Sequence, residues 1–302
     1  YKMQNFFTKF IEESKEYNQK IIYDELEDPR IKDAVFALRH QGFSPVLCHT
    51  QEVLDREFGV NLEKFEYIVC PDSENPTVYA ARMLAEWKVG GFISGAVNTT
   101  GQTLRALIKN TGSQEGVKRI SGYFLMNTLR GLMLIADCAV QPNPNAEQLA
   151  EIAYLSAKSA RTFGIEPKIA MLSFSTKWSA EHEMSNKVVE ATQLAKARFE
   201  AEGITDVQIE GELQLDAAIN PDVAKKKVSD GSWGGDANIL IFPDLNSWNI
   251  GYKLMQYFGG AQAVGPIIQG LNKPGNDLSR GCSVDDIMVL HSITVLQAEK
   301  SQ

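Results

Sequence analysis

The sequence predicts an α/β fold of two three-layer domains with mainly parallel sheets. Short apolar runs alternate with longer amphipathic patterns of helical spacing, which is typical of parallel strands covered by helices. The 302 residues exceed the size of one typical core, which indicates about two domains. Several apolar runs end in polar, glycine-containing turns, as expected where parallel strands present a ligand site at their carboxyl ends.

The predicted strands are short apolar runs bounded by turn residues, and they are Lys20–Tyr23, Ser44–Cys48, Gly91–Ser94, Arg119–Met126, Leu132–Val140, Ile169–Phe174, Val207–Glu210 and Asn238–Phe242. The predicted helices repeat apolar residues every three or four positions, and they are Arg30–His40, Asn145–Gly164, Glu183–Glu202, Asp216–Lys227, Asn246–Phe258 and Val284–Gln297. The best-marked helix begins at Asn145, where Gln148 completes a capping box, and it ends at Gly164.

The segment Gln141-Pro142-Asn143-Pro144 interrupts the pattern strongly and marks the first domain boundary. We expect the return crossing between Gly270 and Asp286. These breaks predict a first domain of residues 1–142 plus 285–302, a second domain of residues 143–284, and an active site in the cleft between them.

Composition argues against several classes of protein. The net charge is −8 and no basic block exceeds Lys225–Lys227, so nucleic acid is not an expected partner. No apolar run approaches the roughly 20 residues that cross a bilayer, and no signal-peptide pattern opens the chain. We therefore expect a cytoplasmic protein without a membrane partner. The four cysteines form no C-x-x-C pair, which argues against a zinc ribbon or a disulfide framework.

The strongest functional signal is the glycine-rich stretch Gly259–Ile287, which ends in a turn and then opens a helix. The turn carries Ser279 and Arg280, and its free backbone N–H groups and fixed cation suit a phosphate or another anion. A surface or structural role for Arg280 remains an alternative. For Cys282 we favour a small buried residue over a reactive thiol.

Asp286 has two interpretations that do not exclude each other. Ser283-Val-Asp-Asp286 matches a capping box, with Ser283 as N-cap. The carboxylate is also a candidate general base for a bound thiol or hydroxyl, kept ionised by the helix dipole and Arg280.

A second candidate anion site follows the predicted strand Gly91–Ser94. There the turn Gly95–Thr100 leads into a helix that carries Arg105. Thr99 as an ordinary N-cap explains part of this pattern equally well.

Two further strand ends are polar in the same way. Asp244 and Asn246 follow Asn238–Phe242, and Ser175 lies in Ser173–Lys177 after another strand. Each side chain either binds a ligand or caps a helix. Four polar strand ends together favour a cleft at one edge of the sheets.

Familiar catalytic motifs are absent from the sequence: there is no P-loop, G-x-G-x-x-G, H-E-x-x-H or G-x-S-x-G. The four histidines are isolated from one another in the sequence. Both observations argue against a Ser-His-Asp triad and against a metal site.

The chain resembles the phosphate acetyltransferase (phosphotransacetylase) family through several motifs in the family's order. They are SGAVNTT (Ser94–Thr100) with Thr103-Leu-Arg105, GVKRISG (Gly116–Gly122), ADCAVQPNPNAEQLAEIA (Ala136–Ala153), SFSTK (Ser173–Lys177), EGELQLDAA (Glu210–Ala218), FPDLNSWNIGYKL (Phe242–Leu254) and NDLSRGCSVDD (Asn276–Asp286). The resemblance runs from Gly90 to Val289 and is weaker at the acidic, arginine-containing segment Tyr23–Ala34.

The resemblance implies reversible acetyl transfer between CoA and inorganic phosphate in acetate metabolism. CoA, acetyl-CoA, acetyl phosphate and phosphate are then substrates, and no cofactor is tightly bound. It also implies a homodimer whose two α/β domains resemble those of isocitrate and isopropylmalate dehydrogenases.

By motif position, Asp286 looks like the base that takes the CoA thiol proton. Ser279 looks like a hydrogen-bond partner of the thiol or the acyl carbonyl, and Arg280 like the group that binds phosphate. The substrate-binding candidates are Arg105, Thr100, Thr99, Asn276, Ser175, Asp244 and Asn246. Asn98 departs from the family's usual histidine, and Trp248 from its usual small residue.

Three alternatives remain open from the sequence. One is a phosphate butyryltransferase-like acyltransferase. Another is a non-catalytic acyl-CoA-sensing domain, against which the intact Ser279, Arg280 and Asp286 argue. The third is an isocitrate dehydrogenase-like oxidoreductase, for which the sequence shows no metal-binding aspartate cluster and no nicotinamide motif.

Overall fold

The computed structural model describes residues 6–300, which form a mixed α/β structure with two sheets. The strands are β1 Lys20–Tyr23, β2 Ser44–His49, β3 Glu66–Val69, β4 Gly91–Ser94, β5 Ser121–Thr128, β6 Gly131–Ala136, β7 Lys168–Leu172, β8 Gln208–Leu213, β9 Ile239–Ile241, β10 Gln262–Gln269 and β11 Gly275–Asp277. The helices are α1 Phe6–Ser14, α2 Pro29–His40, α3 Gln51–Phe58, α4 Pro76–Ala85, α5 Thr100–Thr111, α6 Ala146–Thr162, α7 Glu183–Ala201, α8 Leu215–Ile219, α9 Pro221–Lys227, α10 Leu245–Tyr257 and α11 Val284–Lys300, with a 3₁₀ helix at Gly59–Lys64.

Internal packing divides the described chain into two units. The first unit comprises residues 6–118 and 264–300, and the second comprises residues 119–263. These limits differ from the predicted boundaries after residues 142 and 284. The Pro142–Pro144 break only separates β6 from α6 within the second unit, and the segment after Gly270 supplies β11 to the sheet of the first unit.

The first unit contains an entirely parallel sheet in the order β11-β4-β1-β2-β3. Its centre is apolar, with Ile22 paired to Val46 on one side and to Phe92 on the other. Because the strands are parallel, the loops after β1, β4 and β11 all leave from the same edge. This edge is where parallel α/β sheets place their ligands.

Side-chain caps fix where several helices begin. Asp28 accepts a 2.8 Å hydrogen bond from the Arg30 backbone N–H, and Pro29 occupies the first helical position of α2. The predicted capping box of Asn145 and Gln148 is present at the start of α6. Local sequence signals therefore determine these two helix starts.

The other sheet has six strands in the order β10-β5-β6-β9-β7-β8, and its strands β5 to β9 lie in the second unit. β5 and β6 are antiparallel, whereas β6, β9, β7 and β8 pair in parallel. Trp248 of α10 is only 2% exposed and lies in this unit's hydrophobic core, with its ring 4.9 Å from Phe124 and 4.4 Å from Tyr252. Trp248 therefore fills a core and does not line a ligand passage within this unit.

The predicted helix Asp216–Lys227 is two helices in the structure. Asn220 ends α8 and caps α9, and Pro221 occupies the first position of α9. Proline removes an N–H donor, so a single continuous helix is disfavoured there. Along residues 6–300, no helix is both long and apolar enough to span a bilayer.

Candidate active site

Three loops meet at the carboxyl edge of the first unit's sheet: residues 24–30 after β1, residues 95–98 after β4, and residues 278–282 after β11. The last of these carries the predicted Ser279 and Arg280. The first resembles the family only weakly in sequence, yet it supplies the side chains that hold the other two.

Glu25 binds the loop after β4. Its two carboxylate oxygens accept the backbone N–H groups of Gly95, Ala96, Val97 and Asn98 at 2.6 to 3.0 Å. Glu25 is 9% exposed, so these charge-assisted bonds are largely shielded from water. The sequence predicts an anion site in this loop, but in the structure a carboxylate of the protein itself occupies the N–H groups.

Arg30 connects all three loops. Its Nε and Nη2 donate to the Asp28 carboxylate at 3.0 and 2.7 Å, and Nη2 also donates to the Ala96 carbonyl at 2.9 Å. Nη1 donates to the carbonyls of Arg280 at 2.7 Å and Cys282 at 3.1 Å. Each of the five guanidinium N–H groups therefore has a protein acceptor.

The turn before α11 exposes Ser279 and Arg280. Ser279 Oγ accepts the Gly281 N–H at 3.3 Å, and the Ser279 carbonyl accepts the Cys282 N–H at 2.9 Å. Among the described residues, the Arg280 guanidinium makes no hydrogen bond or ion pair. A cation with five unused donors is thus available to an anionic ligand.

Asp286 lies half-buried in the first turn of α11 and forms the predicted capping box with Ser283. Its Oδ2 accepts the Ser283 N–H and Oγ–H, each at 2.8 Å, while the Ser283 Oγ accepts the Asp286 N–H at 3.2 Å. Within residues 6–300, Oδ1 accepts no hydrogen bond. One oxygen therefore caps the helix and the other remains free.

Of the three candidates after β4, two have other partners. Thr100 Oγ1 donates to Asp277 Oδ2 at 2.6 Å, and Thr99 caps α5 in a capping box. Burial raises the pKa of Asp277 to about 6. Arg105 is exposed on α5, and nothing among the described side chains pairs with it.

Asn276 and Ser175 are fully buried, and their polar atoms have protein partners. The Asn276 amide donates to Thr294 and Gln297 and accepts the Ile268 N–H. Ser175 Oγ donates to Glu212 at 2.8 Å. Neither side chain presents a polar atom to a ligand here, so the contacts favour structural roles over the predicted substrate binding.

The other two candidates lie in the second unit with Ser175. Asp244 caps α10, where its Oδ1 accepts the Ser247 N–H at 2.8 Å. Asn246 is exposed in the first turn of the same helix, and its side chain makes no hydrogen bond within the described chain. Asp244 therefore has a structural role at least, and Asn246 is free to bind a ligand.

Cys282 and His291 do not provide a nucleophile or a metal ligand. Burial raises the pKa of the Cys282 thiol to about 11, so it remains protonated near neutral pH. Burial lowers the pKa of His291 to about 3, and its Nδ1 lies 2.8 Å from the Tyr23 hydroxyl. In the part of the chain that the structure describes, no three His, Cys, Asp or Glu side chains could together hold a metal ion.

An open cavity of about 400 Å³ lies beside the loop after β1. Its lining is acidic and polar, and the lining residues are Asp24, Glu25, Glu27, Asp28, Pro29, His49, Asn75, Pro76, Thr77, Val97 and Asn98. Asn98 Nδ2 donates to Thr77 Oγ1 at 2.9 Å, and Thr77 in turn donates to Asp24. Burial raises the pKa of Asp24 to about 7, assisted by the neighbouring Glu25 charge.

Glu25 and Arg30 are parts of the site that the sequence motifs do not predict. The available signal was the same one used at the other strand ends, since polar residues follow the buried strand β1 directly. Their partners in the other two loops lie 66 to 252 residues further along the chain, so the sequence pattern could not identify them.

Comparisons with known proteins identify the family of the chain. A family model described as phosphate acetyl/butaryl transferase matches residues 54–295. The phosphate acetyltransferase of Clostridium acetobutylicum is 43% identical over 301 residues, covering 97% of this chain and 84% of the relative.

Two solved structures are similar over nearly the whole chain. The EutD phosphotransacetylase from Staphylococcus aureus has a TM-score of 0.87 at 37% identity, and the match covers 97% of this chain and 99% of that one. A phosphotransacetylase from Streptococcus pyogenes has a TM-score of 0.88 at 35% identity, with 99% and 100% covered. The chain belongs to the phosphate acetyl/butaryl transferase family.

Proposed function

We propose that this protein is a phosphate acetyltransferase, which transfers an acetyl group reversibly between CoA and inorganic phosphate. The main structural support for this function is the Arg280 guanidinium, which is exposed beside Ser279 in the turn before α11 and unpaired among the described residues. Relatives named phosphate acetyltransferase support the same reaction.

The reaction begins with the CoA thiol. A thiol has a pKa of about 8.5, so a positioned carboxylate helps to remove its proton near neutral pH. In our proposal Asp286 accepts this proton through Oδ1, the oxygen that is free of the capping box.

Acetyl transfer then occurs in one displacement. The thiolate sulfur forms a bond to the acetyl carbon of acetyl phosphate, and the bond from that carbon to the bridging oxygen breaks. Phosphate leaves with the electron pair and receives the proton from Asp286. Negative charge grows on the carbonyl oxygen and on the leaving phosphate, where the Arg280 guanidinium stabilises it.

Ser279 and the remaining candidates have supporting roles in this proposal. The exposed Ser279 hydroxyl can donate to the acyl carbonyl while its oxygen accepts the Gly281 N–H. Arg105 and Asn246, both exposed, are the substrate-binding candidates with free polar groups. No metal or tightly bound cofactor takes part. The homodimer, the cytoplasmic location and the interdomain cleft remain predictions.

The reaction is tested directly by mixing CoA with acetyl phosphate, and acetyl-CoA with phosphate, while thiol and phosphate are followed together. We expect one thiol consumed per phosphate released in the first direction, and the reverse stoichiometry in the second. CoA binding without turnover in either direction would contradict the proposal and favour the acyl-CoA-sensing alternative.

Acyl-chain length distinguishes the closest enzymatic alternative. Acetyl, butyryl and branched-chain acyl phosphates should be compared by kcat/KM at the same CoA concentration. We expect acetyl phosphate to be preferred, whereas a preference for butyryl phosphate would assign the protein to the butyryl-transferring group.

A further inference from the structure

Arg30 holds the backbone of the turn that presents Ser279 and Arg280. Two of its five donors bind the carbonyls of Arg280 and Cys282, which bracket the turn. A third binds the Ala96 carbonyl in the loop after β4. A single planar group therefore links two loops from different strands of one sheet.

From these contacts we propose that Arg30 is a positioning residue for acetyl transfer, acting through the backbone of Arg280. This inference rests on the proposed function and extends it. Arg30 would fix the position of the Arg280 backbone, from which the side chain extends, because it donates a hydrogen bond to the carbonyl of Arg280 itself.

The hydrogen bonding argues against direct substrate binding by Arg30. All five of its N–H groups already have acceptors within the protein, so none remains for a phosphate. Arg280, by contrast, has no side-chain partner within residues 6–300. One arginine is thus fully engaged in structure, and its neighbour in space is left available to a ligand.

Asp28 keeps the Arg30 guanidinium in place. Its two carboxylate oxygens accept hydrogen bonds from Nε and Nη2 of Arg30. Oδ1 also accepts the Arg30 backbone N–H at the start of α2. The guanidinium is therefore held at the start of α2 by Asp28, and its other donors bind the loop after β4 and the turn before α11. Its side chain is 28% exposed and that of Asp28 is 9% exposed, so the pair is mostly shielded.

Lysine cannot replace this geometry. An ammonium group has three donors around a single point, whereas the guanidinium spreads five over a rigid plane. Arg30→Lys retains the charge but cannot bridge Asp28, Ala96 and the turn at once. Displacing a catalytic group by about 1 Å can lower the rate by about 100-fold. We therefore expect Arg30→Lys to lower kcat by roughly 10- to 100-fold, with a smaller change in KM for acetyl phosphate.

The matched control is Arg82→Lys. Arg82 lies in the same unit on α4 and makes a bidentate ion pair with Glu74 at 2.8 and 3.0 Å, away from the three loops. Arg82→Lys likewise replaces a planar guanidinium and loses its bidentate contact with Glu74. We expect its kcat and KM to remain within about twofold of wild type, since exposed ion pairs contribute little.

A second readout monitors the turn without relying on catalysis. Cys282 is buried, and its sulfur lies 3.8 Å from Arg30 Nη1. If Arg30 holds the turn, Arg30→Lys should make one extra thiol reactive towards an aromatic disulfide reagent in the absence of CoA. That extra thiol should vanish in the double variant Arg30→Lys, Cys282→Ala. The other three cysteines are also buried and would react together only on general unfolding.

The outcomes separate the two proposals. Lower kcat with a newly reactive Cys282 in Arg30→Lys supports positioning. Wild-type kcat in Arg30→Lys, alongside an Arg280→Ala variant that has lost turnover, overturns the positioning role and leaves the proposed function intact. A large rise in KM for CoA with unchanged kcat and protected Cys282 also overturns it, because Arg30 would then act in binding. No turnover in wild type contradicts the function itself.

Discussion

The Asp286 carboxylate caps its own helix through Ser283 with one oxygen only. Oδ2 accepts both the N–H and the hydroxyl of Ser283, at 2.8 Å each. Oδ1 accepts no hydrogen bond within residues 6–300. The structural and chemical interpretations of Asp286 are therefore compatible: the cap fixes the orientation of the carboxylate and leaves its other oxygen without a hydrogen bond.

Ser283→Ala tests how far the cap matters for stability and for rate. The change removes the hydroxyl partner of Asp286, and losing an N-cap side chain typically lowers the free energy of unfolding by about 1 kcal/mol. We expect that loss in urea unfolding, with kcat reduced by less than about tenfold because the carboxylate remains on the helix. A loss of kcat as large as that of Asp286→Asn would mean that Ser283 itself takes part in the reaction.

Glu25→Gln tests the anchor of the loop after β4. The neutral amide keeps the shape but loses one acceptor oxygen and the charge that strengthens the four N–H bonds. Hydrogen bonds to a charged group contribute about 1.5 to 3 kcal/mol each, so we expect the free energy of unfolding to fall by at least about 2 kcal/mol. Glu27→Gln is the control, because Glu27 pairs with Arg56 in an exposed ion pair. Equal effects of the two changes would contradict the anchoring role of Glu25.

Asp24 predicts a specific dependence of stability on pH. Burial raises the pKa of Asp24 to about 7, above its ordinary value of 3.8, so the folded state binds an extra proton between these pH values. The free energy of unfolding should therefore fall as pH rises through this window, by up to about 1.4 kcal/mol per pH unit from this group. The extra stability is fully present only below the unfolded pKa and is lost as pH rises through about 7.

Asp24→Asn isolates that contribution from other groups such as Asp277. The amide cannot titrate, so the unfolding free energy of wild type minus that of the variant should fall as pH rises from 5 to 8. A difference that stays constant over this range would show that Asp24 has an ordinary pKa in the folded protein.

Trp248→Phe tests whether this residue affects stability or substrate access. The indole is 2% exposed and packs against Phe124 and Tyr252 in the core of the second unit. Shrinking a buried aromatic ring leaves a small cavity, so we expect unfolding free energy to fall by about 1 to 3 kcal/mol. The KM for CoA should stay within about twofold of wild type, because a core ring has no contact with substrate. A selective change in that KM would indicate that Trp248 limits substrate access.

Local chemistry accounts for the parts of the fold that the sequence predicted well. β1 and β4 have the predicted bounds, since each is a short apolar run closed by polar or glycine residues. The cap of α6 at Asn145 depends only on residues within one helical turn. The division between α8 and α9 at Asn220-Pro221 also has a local cause, but the apolar spacing continues across it and predicts a single helix.

The features that the sequence does not predict correctly depend on contacts between residues that are distant in the chain. β11 is three residues long, and Gly275–Asp277 carries no apolar periodicity; its pairing with β4 is what makes it a strand. Asn276 looks like a polar ligand-binding residue in the sequence, but its amide joins Thr294 and Gln297 in the interior. Loop-anchoring by Glu25 likewise becomes visible only once β1 and β4 are adjacent.

The role of Asp286 as the base is best tested by comparing Asp286→Asn with Asp285→Asn. Asp285 is the exposed neighbour in the same helical turn, and its side chain makes no hydrogen bond or ion pair within the described chain, so it controls for loss of one charge. CoA affinity would be measured by calorimetry and turnover by thiol consumption with acetyl phosphate. We expect Asp286→Asn to bind CoA with little change while kcat falls by about 100-fold or more, and Asp285→Asn to behave like wild type. Equal kcat values in the two variants would contradict the role of Asp286 as base and leave it only the helix cap.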